Sequence, residues 1–284
     1  MQGNIQISRK NPAAFLFVVD QSASMGYVMP SIGKPKAKHV ADVINRTILN
    51  LIDLCNKADG IRDYFHVGVI CYSGKGISNG LFKDQKKPIL NPISDAAVNI
   101  IGVETVVDKI DNGLGEIVER KAEFPVWVEA EADGETPMCE AFAKAKDALY
   151  KWCDEYQNSY PPTLIHVTDG DSTDGNPEAL AEDIKNINTL HGNTLIFNIH
   201  VSSFSSSIIK YPYSDIDIQD EYAKQLFRMS SIFPQYLMDK ALQRGYEINN
   251  GSRGFVFNAD AAEIVNFLEI GTLPATQSWQ KSGV

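Results

Sequence analysis

The sequence predicts a three-layer α/β protein, with a doubly wound, mainly parallel sheet and helices on both of its faces. Short apolar runs alternate with longer stretches of helical spacing along the whole chain. The runs are rich in aromatic and β-branched residues, which is typical of strands buried on both faces. With 284 residues, 44% of them hydrophobic, the chain can build one large core. We therefore expect a single domain at 13–273 and a flexible tail at 274–284.

The first elements follow from apolar spacing. A strand is predicted at 13–19, where an unbroken apolar run stops at Asp20. Apolar positions at helical spacing predict a crossover helix over 36–58, which Asp59-Gly60 ends. The apolar run at 64–72 predicts a second strand. Right-handed crossovers would place the helices on both faces of the sheet.

The stretch 83–130 is the least regular part of the sequence. A mixed apolar pattern at 98–118 predicts short helical turns, and 124–128 predicts an edge strand in which Pro125 is tolerated. No linker or repeat marks this stretch as a separate domain. We interpret it as an insertion within the single domain.

The second half of the chain continues the alternation. Thr136 is predicted to cap a helix whose first residue is Pro137. Apolar spacing and turn residues predict the remaining elements: strands at 163–168, 194–201 and 254–257, and helices at 177–190, 219–244 (broken by Pro234) and 259–270.

Composition limits the classes of function. The formal net charge of −10 argues against a partner that is a nucleic acid or an anionic membrane, because both need a basic face. No stretch is long and apolar enough to predict a membrane span, and the polar start predicts no signal peptide. The four cysteines lack CxxC spacing and are expected to be reduced thiols, which favours a cytoplasmic location.

Oxygen-bearing side chains follow the predicted strands at the edge where α/β folds bind ligands. Asp20, Ser22 and Ser24 follow the first strand, Asp169 follows the strand at 163–168, and Thr136 precedes a helix. These are hard oxygen donors, which suit Mg²⁺, Mn²⁺ or Ca²⁺. Two carboxylates brought together repel unless a cation lies between them. The sequence therefore predicts a divalent-metal site formed by these five residues.

The motifs Asp20-x-Ser22-x-Ser24, Thr136-Pro and Thr-Asp169-Gly together resemble the metal-ion-dependent adhesion site (MIDAS) of the von Willebrand factor type A (VWA) family. The resemblance extends over roughly 13–270 and implies the Rossmann-like VWA fold. Within the family, the chain is similar to the stand-alone bacterial TerY-type members. Those members are intracellular and are associated with stress or tellurite-resistance clusters that contain kinases and phosphatases.

The resemblance also implies a function. Ser22, Ser24 and Thr136 would bind the cation directly, while Asp20 and Asp169 would bind it directly or through water. An Asp or Glu of a protein partner, such as a kinase or phosphatase of the same gene cluster, would take the open position. The chain is then a metal-dependent protein–protein interaction module and not an enzyme.

Simpler interpretations stay open. Asp20 and Asp169 would serve as turn formers, and Thr136 as a helix cap only, in a domain that has the fold without the metal. A second class is a magnesium-dependent phosphohydrolase of the haloacid-dehalogenase type, which also places an Asp after its first strand. That chemistry needs a second Asp two residues later, where this chain has Ser22. No dinucleotide or P-loop motif is present.

Other polar residues are interpreted as structural. Asp171 and Asp174 are expected to be solvated loop residues and not ligands. His66, His166 and His200 fall in predicted strands, where a hydrogen-bonded imidazole is the expected role.

Overall fold

A computed structural model describes residues 7–111, 117–202, 207–243 and 245–271. The tail predicted at 274–284 lies outside these residues. The strands of the described chain are, in order, β1 (Ala13–Asp20), β2 (Val28–Met29), β3 (Lys34–Pro35), β4 (Asn56–Lys57), β5 (Gly60–Ile61), β6 (Phe65–Ser73), β7 (Gly76–Asn79), β8 (Asn91–Pro92), β9 (Gly102–Asp111), β10 (Ile117–Val126), β11 (Thr163–Thr168), β12 (Asn188–Thr189), β13 (Gly192–Asn193), β14 (Leu195–Val201), β15 (Ile209–Lys210) and β16 (Phe255–Ala259).

Helices connect the long strands. They are α1 (Lys36–Cys55), α2 (Ile93–Val98), α3 (Met138–Glu155), α4 (Glu178–Asn186), α5 (Glu221–Met229), α6 (Gln235–Gln243) and α7 (Ala261–Gly271). A short 3₁₀ turn at Ala23–Gly26 follows β1. The helix predicted over 36–58 ends earlier, at Cys55, because the chain turns there into the β4–β5 hairpin. The stretch predicted as 219–244 forms two helices, with Pro234 between them as predicted.

The largest sheet has eight strands. From one edge the order is β15, β16, β14, β11, β1, β6 and β7, and β8 also pairs with β6. The inner strands from β16 to β6 pair in parallel, while β15, β7 and β8 pair antiparallel to their neighbours. The carboxyl ends of β1 and β11 therefore lie side by side at one edge of this sheet.

The predicted fold class, a three-layer doubly wound sheet of Rossmann-like type, is wrong as a description of this chain. The described residues form a mixed α/β protein in which half of the strands have only two residues. Four two-stranded antiparallel sheets, β2–β3, β4–β5, β9–β10 and β12–β13, lie outside the eight-stranded sheet. Three of these four pairs, all except β9–β10, have strands of two residues and form within turns, where two residues are too few to show the alternation that identifies a strand.

The insertion at 83–130 is also built differently from the prediction. The helical turns predicted at 98–118 are wrong, because β9 and β10 form an antiparallel ribbon with Val103 opposite Pro125. β9 is rich in Val, Thr and Ile, which fit a pleated surface better than a helix. Asn45 of α1 fixes the end of the ribbon, because its Oδ1 accepts hydrogen bonds from the backbone N–H groups of Trp127 and Val128.

Alternation along β1 divides the core between the two sheet faces. Phe15 and Phe17 belong to the cluster that includes side chains of α1, α6 and α7. Leu16 and Val18 belong to the cluster that includes side chains of α3, α4 and α5. All of β1 is buried, so only its carboxyl end can present polar groups to a ligand.

Candidate functional site

The site begins with Asp20, the last residue of β1. Its carboxylate accepts hydrogen bonds from the Ser22 backbone N–H at 2.8 Å and from the Thr168 hydroxyl at 2.7 Å. Thr168 is adjacent because β1 and β11 run parallel in a register that pairs Val19 with Val167. Asp20 is fully buried, and this burial raises its pKa to about 6 even though its hydrogen bonds favour the charged form.

Asp169 joins the two loops that follow β1 and β11. Ser24 donates a hydrogen bond from Oγ to Asp169 Oδ1 at 2.6 Å, and Ser22 Oγ lies 3.2 Å from Ser24 Oγ. The other carboxylate oxygen, Asp169 Oδ2, forms an ion pair with Lys36 Nζ and has no further hydrogen-bond partner among the described residues. Thus Ser22, Ser24 and Asp169 meet at this edge, with Asp20 linked to them through the backbone of Ser22.

Thr136 lies in a loop that contacts both the loop after β1 and the loop after β11. Its N–H donates to Thr173 Oγ1 at 3.1 Å, and the Thr173 N–H donates to the Thr136 carbonyl at 3.0 Å. Two residues before Thr136 in the same loop, the Gly134 carbonyl accepts a hydrogen bond from the Ala23 N–H at 3.1 Å. The Thr136 loop is therefore held against the loop of the serines on one side and against the loop after Asp169 on the other.

The predicted capping role of Thr136 is wrong. α3 begins at Met138, and its first N–H groups are satisfied by Asp174, which accepts from Cys139 N and Glu140 N at 2.9 Å each. Partial burial alone would raise the pKa of Asp174, but these backbone donors lower it. Asp174 is exposed, as predicted for a loop residue, and it also has this capping role.

Two glycines position the Thr136 loop. Gly74, just after β6, packs so closely against Gly134 that a Cβ on either residue would lie 2.6 Å from the other's Cα. Gly134 also has φ +63°, a left-handed conformation that favours glycine. The Gly74 N–H donates to the Asp133 carbonyl at 2.9 Å. Backbone contact without side chains therefore sets the distance of this loop from the sheet.

Lys36 was missed by sequence reasoning. It is the first residue of α1, and its side chain is only 6% exposed where it pairs with Asp169. Its Nζ lies 5.6 Å from the centroid of the Tyr27 ring. In the sequence it stands between Lys34 and Lys38 at the start of the predicted helix, so it resembles a solvated lysine. Hydropathy carries no signal that would have separated it from its neighbours.

A second buried polar group lies further inside the sheet. His166 on β11 contacts Tyr72 Oη through Nε2 at 2.7 Å and Asn198 Oδ1 through Nδ1 at 2.8 Å. The Asn198 amide donates to Ser230 Oγ, so its oxygen accepts from His166, and the Tyr72 hydroxyl donates to Nε2. Burial lowers the pKa of His166 to about 4. The structural role expected for this histidine is confirmed.

The other two strand histidines also have partners. Trp152 donates from Nε1 to His66 Nδ1 at 3.1 Å, and burial lowers the pKa of His66. The Asn258 N–H donates to His200 Nδ1 at 3.3 Å, and the His200 ring stacks on Phe257. Burial lowers the pKa of His200 to about 4. These imidazoles are structural, as expected.

The chemistry of the edge residues fits a hard cation. Asp20 and Asp169 provide carboxylate oxygens, and Ser22, Ser24 and Thr136 provide hydroxyls, which are ligands of Mg²⁺, Mn²⁺ and Ca²⁺. Asp169 Oδ2 is a buried oxygen whose one partner among the described residues is the Lys36 ammonium, so a positive charge already satisfies it in this structure. Among the described residues, no group of three or more His, Cys, Asp or Glu could hold a metal ion. The five residues of the predicted site are not such a group, because three of them, Ser22, Ser24 and Thr136, offer hydroxyl oxygens.

Comparisons with known proteins give only distant similarities. No protein-family model and no curated protein matches the chain. Among solved structures it is similar to the pilus adhesin SpaC of Lactobacillus rhamnosus GG, with a TM-score of 0.48 and 13% identity over 99% of this chain and 31% of that one. It is also similar to the minor pilin PilB of Streptococcus sanguinis, with a TM-score of 0.48 and 12% identity over 100% of this chain and 64% of that one. The chain spans about a third to two thirds of the length of these structures.

The family identification from sequence is therefore wrong. The structures found similar are pilus adhesin and pilin proteins, and nothing found supports membership of the VWA family or similarity to its TerY-type members. The assignment of these motifs as a MIDAS is wrong for the same reason. Three short motifs in a chain of this length are compatible with more than one ancestry, because each also has a local role as a turn or a hydrogen-bonding loop.

In the described part of the chain, no helix is both long and apolar enough to cross a membrane.

Proposed function

We propose that this protein is a divalent-cation-dependent protein-interaction module. Asp20, Ser22, Ser24, Thr136 and Asp169 would hold Mg²⁺, or alternatively Mn²⁺ or Ca²⁺, and the bound cation would accept an Asp or Glu side chain of a protein partner. The observation that carries the proposal is the meeting of Ser24 Oγ with Asp169 Oδ1 at 2.6 Å, beside the buried carboxylate of Asp20. Hydroxyl and carboxylate oxygens from two separate loops thus converge on one place.

Charge supports an acidic partner. Asp20 and Asp169 carry two negative charges when ionised, and Lys36 carries one positive charge beside them. A divalent cation would balance the two carboxylates, and the Lys36 ammonium, if it moves aside but stays beside the site, would leave a local sum of one positive charge. A carboxylate of the partner would then neutralise the site, and it would do so in surroundings where burial strengthens electrostatic attraction. When bound, the cation would supply a positive centre that serine and threonine hydroxyls alone cannot provide.

The surface around the site supports a protein partner. The β2–β3 hairpin follows the serine loop and leads into α1. It exposes Tyr27, Val28 and Ile32 by 67%, 51% and 38%. Exposed apolar and aromatic side chains that surround a polar centre are typical of contact surfaces between proteins. A partner that brings a carboxylate to the cation would bury these side chains at the same time.

Calorimetric titration with Mg²⁺ and with Mn²⁺ tests the cation site. We expect saturable binding by the wild type, and loss of that binding in Asp20→Ala and in the half-buried Ser24→Ala. At a concentration one hundred times the Kd, the cation should raise the free energy of unfolding of the wild type by about 2.7 kcal/mol. The exposed Asp154→Ala on α3 is the matched control and should bind as the wild type does.

Two results would overturn the proposal. One is the absence of saturable binding by the wild type, or equal binding by folded Asp20→Ala. The other is hydrolysis of a phosphoester that requires Asp20, which would favour an enzyme.

The predicted recognition of an acidic partner is tested with the protein in Mg²⁺. Its capture of glutamate-rich peptides is compared with that of matched peptides in which serine replaces each glutamate. Capture should require the glutamates and should be abolished by a chelator.

A further inference from the structure

We propose that Lys36 is a built-in cation of this site, whose ammonium neutralises Asp169 when no metal is bound and leaves it when a divalent cation binds. This inference rests on the proposed function and specifies how the same site is controlled. Occupation would then be an exchange of one cation for another and not the filling of a vacant cage.

The ion pair has the features of a dedicated contact. Lys36 Nζ meets Asp169 Oδ2, and the two side chains are 6% and 0% exposed. No other donor among the described residues reaches that oxygen. An unpaired buried carboxylate oxygen is costly, so the metal-free protein depends on Lys36 at this point. A cation that uses Asp169, directly or through water, shares the same carboxylate, with Ser24 at Oδ1 and Lys36 at Oδ2.

Coexistence of both cations is unfavourable. A divalent ion lies within about 2–2.6 Å of its oxygen ligands, so an ammonium on the same carboxylate would stand a few Å away with a charge of the same sign. At that distance, and with little water between them, the repulsion is strong. The long flexible side chain of lysine allows the ammonium to move without moving the helix.

The structure offers a place for the displaced ammonium. Tyr27 lies beside Lys36, with its ring centroid 5.6 Å from Nζ and the ring largely exposed. The Lys36 N–H also donates to the Tyr27 carbonyl at 3.0 Å, which fixes the backbone of the two residues relative to each other. Rotation of the side chain toward solvent would keep the ammonium near the aromatic face, where it is attracted by the π-system. There it would face the carboxylate of the same acidic partner.

Neighbouring lysines provide internal controls. Lys34 pairs with Asp42 at 3.3 Å, and Lys38 pairs with Asp42 and Glu104, all at the surface. Neither contacts Asp169 in the described structure. They share the chain segment and the charge of Lys36 but not its burial, so an effect confined to Lys36 reports on the site.

The first experiment measures affinity. Calorimetric titration with Mn²⁺ compares the wild type, Lys36→Met and Lys34→Met. Removal of a like charge at a distance of a few Å should tighten Mn²⁺ binding by Lys36→Met about tenfold or more. Lys34→Met should bind as the wild type does. Equal or weaker binding by folded Lys36→Met would overturn the inference while leaving the proposed function intact.

The second experiment needs no variant at Lys36. The wild type is acylated with a limiting amount of an amine-reactive ester, with Mg²⁺ or with a chelator, and the modified lysines are located by mass spectrometry. Lys36 should be protected in the chelator and should react at a rate similar to Lys38 in Mg²⁺. Lys34 and Lys38 should not change. Protection of Lys36 in both conditions, in a protein that binds Mg²⁺, would also overturn the inference.

The two proposals fail in different ways. If neither the wild type nor Lys36→Met binds a divalent cation, the proposed function fails and the exchange fails with it. If only Lys36→Met binds, the exchange is supported, and the proposed cation dependence of the natural chain is overturned.

Discussion

Two buried polar regions lie close together on the same strands, and they differ in how completely their atoms are paired. Around His166, each polar atom has a partner: Tyr72 donates, Asn198 accepts, and Ser230 continues the chain of hydrogen bonds. At the edge of the sheet, Asp169 Oδ2 depends on one flexible lysine. Full pairing gives a fixed network, whereas partial pairing leaves an atom that a ligand can satisfy.

This difference explains why buried polar residues alone do not identify a site. His166 and Asp20 are both fully buried, and burial shifts the pKa of both, lowering that of His166 to about 4 and raising that of Asp20 to about 6. Of the two regions, only the edge of the sheet has a buried carboxylate oxygen whose one partner among the described residues is a lysine ammonium. If pairing separates the two regions in this way, a change in one of them should leave the other unaffected.

The largest effect is expected from breaking the ion pair on one side. Asp169→Ala removes the counterion of the Lys36 ammonium, which must then stay buried unpaired or leave its position, so the free energy of unfolding should fall by up to about 3–5 kcal/mol. The double variant Asp169→Ala/Lys36→Met should recover much of that loss because no buried charge remains. Urea unfolding in a chelator measures both. Additive losses would show that the two side chains do not depend on each other.

A smaller effect is expected from the His166 network. The folded protein holds the pKa of His166 at about 4, below the value of 6.5 in an unfolded chain. Between these values the unfolded state binds more protons, so the free energy of unfolding falls as the pH drops from about 6.5 toward 4. The loss should approach roughly 3 kcal/mol.

The variant His166→Gln isolates this contribution. Asp20, whose pKa is raised in the folded protein, acts in the opposite direction over part of the same range. The difference between wild type and variant removes its effect. The variant should show a smaller loss toward low pH, and its affinity for Mn²⁺ near neutral pH should equal that of the wild type. A large change in Mn²⁺ affinity would show that the two regions act as one.

The smallest effect is expected at the surface. Lys38→Met removes ion pairs with Asp42 and Glu104 that are open to water. Such pairs contribute little, so the free energy of unfolding should change by less than about 1 kcal/mol. Thermal unfolding in a chelator measures this change and compares it with the change in Lys36→Met. A loss at Lys38 as large as at Lys36 would mean that burial does not set the strength of these contacts.

The sequence predicts those elements that are long and apolar. β1, β6, β11 and β14 lie where apolar runs predict them, because a strand buried along its length requires such residues. β9 lies in the stretch 98–118 for which the sequence predicts helical turns, since its apolar residues do not alternate strictly. The edge strand predicted at 124–128 overlaps the end of β10, which is paired with β9. The two-residue strands left no pattern to detect, and with them the fold class was wrong.

The site shows the same limit. Apolar runs that end at Asp20 and Asp169 place both carboxylates at one sheet edge, and the structure brings Ser22, Ser24 and Asp169 together there. Thr168 and Lys36 were not predicted. Their roles depend on the register between β1 and β11 and on the direction in which α1 begins, which no local pattern encodes.

The close packing of Gly74 against Gly134 has a consequence for how far this chain can diverge. A library that varies either position should yield almost only glycine among folded clones, and pairwise randomisation should not rescue the loss, because both backbones occupy the same gap. Insertions into the β9–β10 ribbon should be tolerated, whereas one added methyl group between Gly74 and Gly134 should not be.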